Sequence, residues 1–126
     1  MAKHHSPRFL KITDAAREHV QELTVDDVKG KLDRNEKFVL VDVREDNEWT
    51  KGHLPRAIHI GRGVLERDIE DQVSDIGAEI VLYCGGGFRS ALAAESLERM
   101  GYKNVYSMDG GYRGWIEKSY GLEGQP

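Results

Sequence analysis

Two continuous apolar segments, residues 38–43 and 80–83, constrain the fold of this chain more than any other feature of its sequence. Asp42 is the only charged residue within them, and polar residues do not alternate with apolar ones. This pattern is typical of strands that are buried on both faces of a sheet. Because such a sheet needs helices on both faces, the two segments predict an α/β domain.

Helical patterns and further short strands surround these two segments. Thr13 or Asp14 is expected to begin a first helix, whose less polar face extends to Leu23. Thr24 and Asp27 form a capping-box pattern, which predicts the start of a second helix. The remaining predicted elements are strands at residues 57–60 and 105–108 and helices at residues 63–73, 90–100 and 112–118. Strands that alternate with helices predict right-handed crossovers and a mainly parallel sheet with helices on both faces.

The composition excludes several classes of protein. The 126 residues carry a net charge of −4, with 39% hydrophobic and 32% charged residues, which indicates one globular domain rather than a nucleic-acid-binding protein. Cys84 is the one cysteine, so an internal disulfide and a cysteine-rich zinc site are both excluded. No apolar run matches a secretory signal or a membrane span. We therefore expect a cytoplasmic protein without membrane or nucleic-acid partners, in which His4 and His5 bind no metal.

The strongest chemical signal surrounds Cys84, which follows the apolar segment 80–83 and precedes three glycines at residues 85–87. Consecutive glycines allow positive φ angles and a backbone that directs its N–H groups towards an anion. A predicted helix N-terminus and the guanidinium of Arg89 add positive potential, and Ser90 is expected to cap that helix. The pattern predicts a nucleophilic thiolate beside an anion site rather than a cysteine that only fills the core.

Two nucleotide-binding loops do not fit this segment. A phosphate-binding loop of the Walker type needs a lysine before its Ser or Thr, and no lysine occupies the turn. A dinucleotide-binding loop needs a third glycine where Arg89 and Ser90 stand. The anion of this site is therefore not predicted to be a nucleotide phosphate.

Four segments follow the motif order of the rhodanese (sulfurtransferase) family. They read VDVRE at residues 41–45, EWTKGHLPRA at 48–57, CGGGFRS at 84–90 and GGYRGW at 110–115. On these motifs, which together cover about residues 24 to 118, the chain resembles the single-domain members of that family. The resemblance implies a five-stranded, mainly parallel sheet that is flanked by helices on both faces.

The resemblance also implies a double-displacement reaction. Cys84 would accept the sulfane sulfur of thiosulfate or of a persulfide donor and would pass it, as a persulfide, to cyanide or to a thiol, including the thiol of a protein. No metal and no organic cofactor is implied. Asp42 and Arg44 are expected to support the loop. The expected substrate-binding residues are Gly85, Gly86, Gly87, Phe88, Arg89 and Ser90.

Two other interpretations remain open. Rhodanese-like domains also occur as non-catalytic interaction modules, although those typically lack the cysteine. Related cysteine-based phosphatases and arsenate reductases have five residues between cysteine and arginine, whereas four separate Cys84 from Arg89. In well-characterised two-domain members of the rhodanese family, two positions near the cysteine hold cations. Gly86 and Glu48 stand at these positions here, and the loss of two positive charges predicts weak use of thiosulfate, which is a dianion.

The motif positions also predict how the chain is divided. Residues 1–22 are expected to form a helical N-terminal extension, and residues 23–120 the rhodanese domain. Residues 121–126 are expected to form a flexible tail.

Overall fold

A computed structural model describes residues 5–126 of this chain, and its centre is a five-stranded parallel sheet with the strand order β1-β5-β4-β2-β3. The strands are β1 Gln21–Leu23, β2 Val39–Asp42, β3 Ile58–His59, β4 Ile80–Tyr83 and β5 Val105–Met108. The helices are α1 Pro7–Arg17, α2 Val25–Asp33, α3 Asp46–Trp49, α4 Leu65–Gln72, α5 Phe88–Arg99 and α6 Gly111–Glu117, and a 3₁₀ turn spans Arg62–Val64. Among residues 5–126, no helix combines the length and the apolar character that crossing a membrane requires.

The predicted α/β architecture is confirmed, and the side chains of β4 show why helices cover both faces. Ile80 and Leu82 belong to a buried cluster on one face of the sheet, together with apolar residues of α1, α4 and α5. Val81 and Tyr83 belong to a second cluster on the other face, together with residues of α2 and α6. Successive side chains of a strand point to opposite faces, so a strand with two covered faces has no polar side.

The prediction for the N-terminal helix is wrong at both ends. The helix α1 begins at Pro7, where a proline fits the first turn, and Thr13 lies inside it with its hydroxyl donating to the carbonyl of Leu10 at 3.1 Å. The helix ends at Arg17, and residues 21–23 form the edge strand β1 beside β5. Two of the three residues of β1 are polar and exposed, so its sequence lacks the apolar signal of a strand.

The capping box predicted for the second helix is confirmed. The hydroxyl of Thr24 accepts from the Asp27 amide at 3.0 Å, and the Asp27 carboxylate accepts from the Thr24 amide at 2.9 Å. The short helix α3 was not predicted, because its four residues are too few to show a helical period.

The predicted division into extension, domain and tail stays a prediction. In the structure, the backbones of His53 and Glu123 pair through two hydrogen bonds of 2.9 Å.

The sheet has a topological switch point between β2 and β4. From β2 the chain continues to β3 on one side, whereas from β4 it continues to β5 on the other side. The loops that leave the carboxyl ends of these two neighbouring strands therefore diverge and leave a crevice, where α/β proteins bind their ligands. Cys84 directly follows β4, at the mouth of this crevice.

A buried polar cluster below the crevice joins β2 to β4. The Arg44 guanidinium donates to the carboxylate of Asp42 at 2.8 Å and to the carbonyl of Gly52 at 2.8 Å. The hydroxyl of Tyr83 donates to Asp42 at 2.7 Å and accepts from the Leu54 amide at 3.1 Å. Burial, together with the neighbouring carboxylate, raises the pKa of Tyr83 far above its usual range, so its hydroxyl stays protonated and can donate.

We predict that Arg44→Met will lower the free energy of unfolding by about 3–5 kcal/mol, because it leaves the carboxylate of Asp42 buried without its cation. The side chains of Asp42 and Arg44 are 0% and 3% exposed. The matched control is Arg34→Met, whose side chain is 63% exposed and pairs with Glu36, and we expect a change within about 0.5 kcal/mol. Urea unfolding measures both, and equal stability of the two variants would contradict the assigned role of the buried cluster.

Candidate active site

The thiol of Cys84 lies at the junction of β4 and α5. Its sulfur accepts hydrogen bonds from the backbone amides of Gly87 at 3.2 Å and Ser90 at 3.3 Å. The first N–H groups of a helix have no partner within the helix, and here the amide of Ser90 is directed at the sulfur instead. The positive end of the α5 dipole lies at the same point, so the site favours negative charge on this sulfur.

The loop reaches this geometry through one left-handed residue. Of the three consecutive glycines, Gly87 alone has a positive φ, of +100°. It is the residue that caps α5, and a Cβ atom there would lie 3.3 Å from the backbone nitrogen of Gly110. The backbone angle therefore strongly favours glycine, and the space for a side chain is tight. The helix begins at Phe88, so the prediction that Ser90 caps it is wrong.

Ser90 has a different position from the one predicted. It lies in the first turn of α5, is fully buried, and its hydroxyl oxygen lies 3.5 Å from the sulfur of Cys84. The same hydroxyl shares a hydrogen bond of 2.8 Å with Ser107, a buried residue of β5. Sequence reasoning missed Ser107, although a serine within an otherwise buried strand could have drawn attention to it.

The N-terminus of α6 supports the loop from the other side. The amides of Tyr112 and Arg113 donate to the carbonyls of Cys84 and Gly85 at 2.8 and 3.0 Å. Gly111 makes this approach possible, because a Cβ atom there would lie 2.8 Å from the Gly85 carbonyl oxygen, and its φ is +56°. The GGYRGW motif therefore holds the cysteine loop through the backbone.

The guanidinium of Arg89 is engaged by a carboxylate. Glu48 of α3 receives hydrogen bonds from the two terminal nitrogens of Arg89 at 3.0 and 3.2 Å. Partial burial raises the pKa of Glu48, but the hydrogen bonds from Arg89 and from the Glu45 amide outweigh it and hold that pKa below its usual value. The hydrogen bonds to Glu48 raise the pKa of Arg89. Glu48 thus remains an anion at neutral pH and neutralises the cation that was expected to bind the donor.

A pocket of about 290 Å³ opens above the sulfur, and four of the predicted site residues line it. The other predicted loop residues, Gly85, Gly87 and Ser90, shape the loop beside it, whereas Asp42 and Arg44 lie in the buried cluster below. Of the remaining lining residues, no sequence motif pointed to His5 or Phe9, and only the GGYRGW motif placed Arg113 nearby. The full lining is His5, Phe9, Glu48, Cys84, Gly86, Phe88, Arg89 and Arg113.

The fold has a counterpart among known protein families. The model of the Rhodanese-like domain matches residues 24–118 of the chain. This chain belongs to the rhodanese-like domain family. The matched rhodanese segment includes the cysteine loop, α6 and the whole sheet except β1, and it leaves α1 outside.

Two proteins of Bacillus subtilis (strain 168) are similar to this rhodanese-like chain. The "Putative sulfurtransferase YtwF" is 33% identical over 96 residues, which cover 76% of this chain and 90% of that protein. The "Putative sulfur carrier protein YrkF" is 32% identical over 100 residues, which cover 79% of this chain. The match spans 53% of YrkF, so the chain corresponds to about half of that relative. Both names refer to proteins that carry or transfer sulfur.

One solved structure resembles the chain over almost its whole length, including α1. It is the Rhodopseudomonas palustris protein RPA3614, described as a protein of unknown function and a "Possible Tyrosine Phosphatase". The TM-score is 0.84 and the sequence identity 29%, with 98% of this chain and 99% of that chain covered. The structural match therefore extends beyond the rhodanese segment and includes the residues of α1.

We predict that Gly87→Ala will lower the free energy of unfolding by about 1–3 kcal/mol, because a left-handed alanine is strained. The substitution will also slow the alkylation of Cys84 by iodoacetamide, because the loop amide must move away from the sulfur. Gly63→Ala is the matched control, since no atom lies within 4 Å of the added Cβ and its φ is not left-handed. Urea unfolding and the alkylation rate at pH 7 check both effects. An unchanged alkylation rate in a destabilised Gly87→Ala protein would show that the amide contact does not govern the reactivity of the sulfur.

Proposed function

We propose that this protein is a sulfurtransferase that carries a sulfane sulfur as a persulfide on Cys84. The thiolate of Cys84 attacks the outer sulfur of the donor, and a new sulfur–sulfur bond forms while the donor's own sulfur–sulfur bond breaks. The donor fragment leaves with the bonding electron pair, as sulfite when the donor is thiosulfate. An acceptor thiolate, or cyanide, then attacks the outer sulfur of the persulfide and regenerates the thiolate of Cys84.

The observation that carries this proposal is the pair of amide hydrogen bonds to the sulfur of Cys84, from Gly87 at 3.2 Å and Ser90 at 3.3 Å. N–H groups fixed in this way stabilise negative charge on the attacking sulfur, and they cost no reorganisation during the reaction. The sulfur lies beside a pocket of about 290 Å³, which gives a donor room to approach it. A single cysteine in the chain supports a carrier, because no second thiol is present to form an internal disulfide with the persulfide.

A cysteine-based phosphatase is the second candidate, and the description of RPA3614 is the observation that favours it. Two features of this chain support sulfur transfer instead. Four residues separate Cys84 from Arg89, whereas five separate the cysteine from the arginine in the related phosphatases. The Arg89 guanidinium is also paired with Glu48, and a phosphate dianion would have to displace that carboxylate. A purely non-catalytic module is less compatible with a cysteine that the loop amides contact directly.

We predict that incubation with thiosulfate, and separately with an organic persulfide, adds one sulfur atom to the protein. The physical reason is the stabilised thiolate at Cys84, so the Cys84→Ser variant gains none. Intact-mass spectrometry measures the gain. Addition of a thiol or of cyanide should then remove the sulfur from the wild-type protein.

A result without any sulfur adduct from either donor, while Cys84 alkylates normally, would refute the proposal. The same protein preparation should hydrolyse an aryl phosphate no faster than the Cys84→Ser variant does. Cysteine-dependent turnover of the aryl phosphate would favour the phosphatase instead.

We further predict that Glu48→Gln accelerates sulfur loading from thiosulfate by about tenfold. The substitution removes a negative charge that faces an incoming dianion, and it leaves Arg89 without its carboxylate partner. The control is Glu70→Gln, which makes the same change of net charge at an exposed position on α4. Loading rates at low and at high ionic strength measure the effect, which should weaken with salt. Equal rates for the two variants would contradict a local role of Glu48.

A further inference from the structure

Three aromatic rings form one wall of the pocket above Cys84. The ring of His5 lies 4.4 Å from that of Phe88 and 5.2 Å from that of Phe9, and the rings of Phe9 and Phe88 are 6.2 Å apart, centre to centre. All three side chains are half-buried and line the same cavity as the sulfur. His5 and Phe9 come from the segment before residue 24, outside the part of the chain that matches the family.

The wall is held in place by the packing of α1 on α5. Thr13 and Ala16 of α1 are fully buried in this contact region. At the end of α1, Arg17 donates to Asp109 at 2.9 Å, and its guanidinium lies 5.8 Å from the centre of the Phe88 ring. The helix α1 is therefore fixed both along its length and at its end, and it holds the aromatic wall as part of the folded site.

A second guanidinium, that of Arg113, lies near Arg89 beside the loop. A Cβ atom on Gly85 would lie 3.2 Å from a terminal nitrogen of Arg113 and 3.2 Å from one of Arg89. Arg89 is paired with Glu48, whereas no carboxylate of residues 5–126 lies within ion-pair distance of Arg113. These three side chains sum to one positive charge, which balances the thiolate of Cys84, so a monoanion meets less repulsion in the pocket than the dianion thiosulfate does.

One polar atom of the wall also points to a ligand. The Nε2 atom of His5 is buried and has no hydrogen-bond partner among residues 5–126. Buried nitrogens are normally paired, and a group bound in the pocket that His5 lines would supply the missing partner.

We propose that the preferred sulfur donor is a monoanion in which the sulfane sulfur is bonded to a second sulfur that carries an aromatic or branched apolar group, and that Phe9 determines this preference. The inference rests on the proposed sulfur transfer and names its substrate class. The pocket of about 290 Å³ has room for one ring, since an apolar cavity of about 150 Å³ is enough to bind benzene. The organic group packs on the aromatic wall while Arg113 attracts the anionic end.

Organic thiosulfonates and organic persulfides share this chemistry, and a thiosulfonate serves as the probe. The thiolate of Cys84 forms a bond to the terminal sulfur of the thiosulfonate, and the bond between that sulfur and the sulfonyl sulfur breaks. The sulfinate leaves with the electron pair, so two monoanions react and two monoanions are formed. The enzyme is left as the persulfide.

The experiment measures loading rates by rapid quenching and intact mass, with benzenethiosulfonate, methanethiosulfonate and thiosulfate as donors. We expect Phe9→Ala to lower the ratio of the loading rate with benzenethiosulfonate to that with methanethiosulfonate by about tenfold, because apolar contact area is lost. Ile12→Ala is the matched control on the same helix, since Ile12 is 54% exposed and faces solvent, and it should keep the wild-type ratio. Arg113→Gln should slow both thiosulfonates about equally and leave the ratio unchanged.

The outcomes separate this inference from the function on which it rests. If all three donors load Cys84 and Phe9→Ala keeps the wild-type ratio, the aromatic preference is refuted while sulfur transfer stands. If no donor adds sulfur, sulfur transfer itself is refuted. Where circular dichroism shows that Phe9→Ala disrupts α1, Phe9→Leu decides instead: with α1 intact, a lower ratio than in the wild type supports the inference, and the wild-type ratio overturns it. An organic persulfide with a phenyl group should behave as the benzene thiosulfonate does.

Discussion

The hydrogen bonds from the start of α5 to the sulfur of Cys84 are the interaction on which the rest of the structure depends. They require the chain to leave β4, turn within four residues and begin a helix whose first amides are directed at the sulfur. The left-handed Gly87 makes that turn, and the backbone of α6 fixes it through the carbonyls of Cys84 and Gly85. The buried hydroxyls of Ser90 and Ser107 complete the support from β5. The site is thus built largely from backbone groups, which explains why its sequence is so rich in glycine.

The side chains around this backbone core set the charge of the site. Glu48 neutralises Arg89, and Arg113 adds one positive charge to the pocket. The deeper pair of Asp42 and Arg44 has no such function and instead ties β2 to the loop at Gly52. The same scaffold can therefore keep its nucleophile while the surrounding residues select different donors, which is how folds commonly support several substrates.

Sequence reasoning succeeded where a local rule decides the structure. The buried strands and the capping box at Thr24 follow from patterns of a few residues, and the glycine loop after Cys84 follows from its place between a strand and a helix. It failed where tertiary contacts decide. The edge strand β1 exists because it pairs with β5, and its polar residues gave no signal. The predicted cap at Ser90 was wrong because the left-handed Gly87 starts the helix earlier, and no pattern linked His5 to a loop 79 positions away.

The most direct test of this account is a crystal structure of the protein after reaction with an organic sulfane-sulfur donor. We predict one additional sulfur atom bonded to Sγ of Cys84, inside the pocket and beside the amides of Gly87 and Ser90. Glu48 and Arg89 should remain paired in that structure. An unmodified Cys84 in protein that has consumed the donor, or sulfur bound at any other residue, would contradict the claim that this loop carries the sulfur.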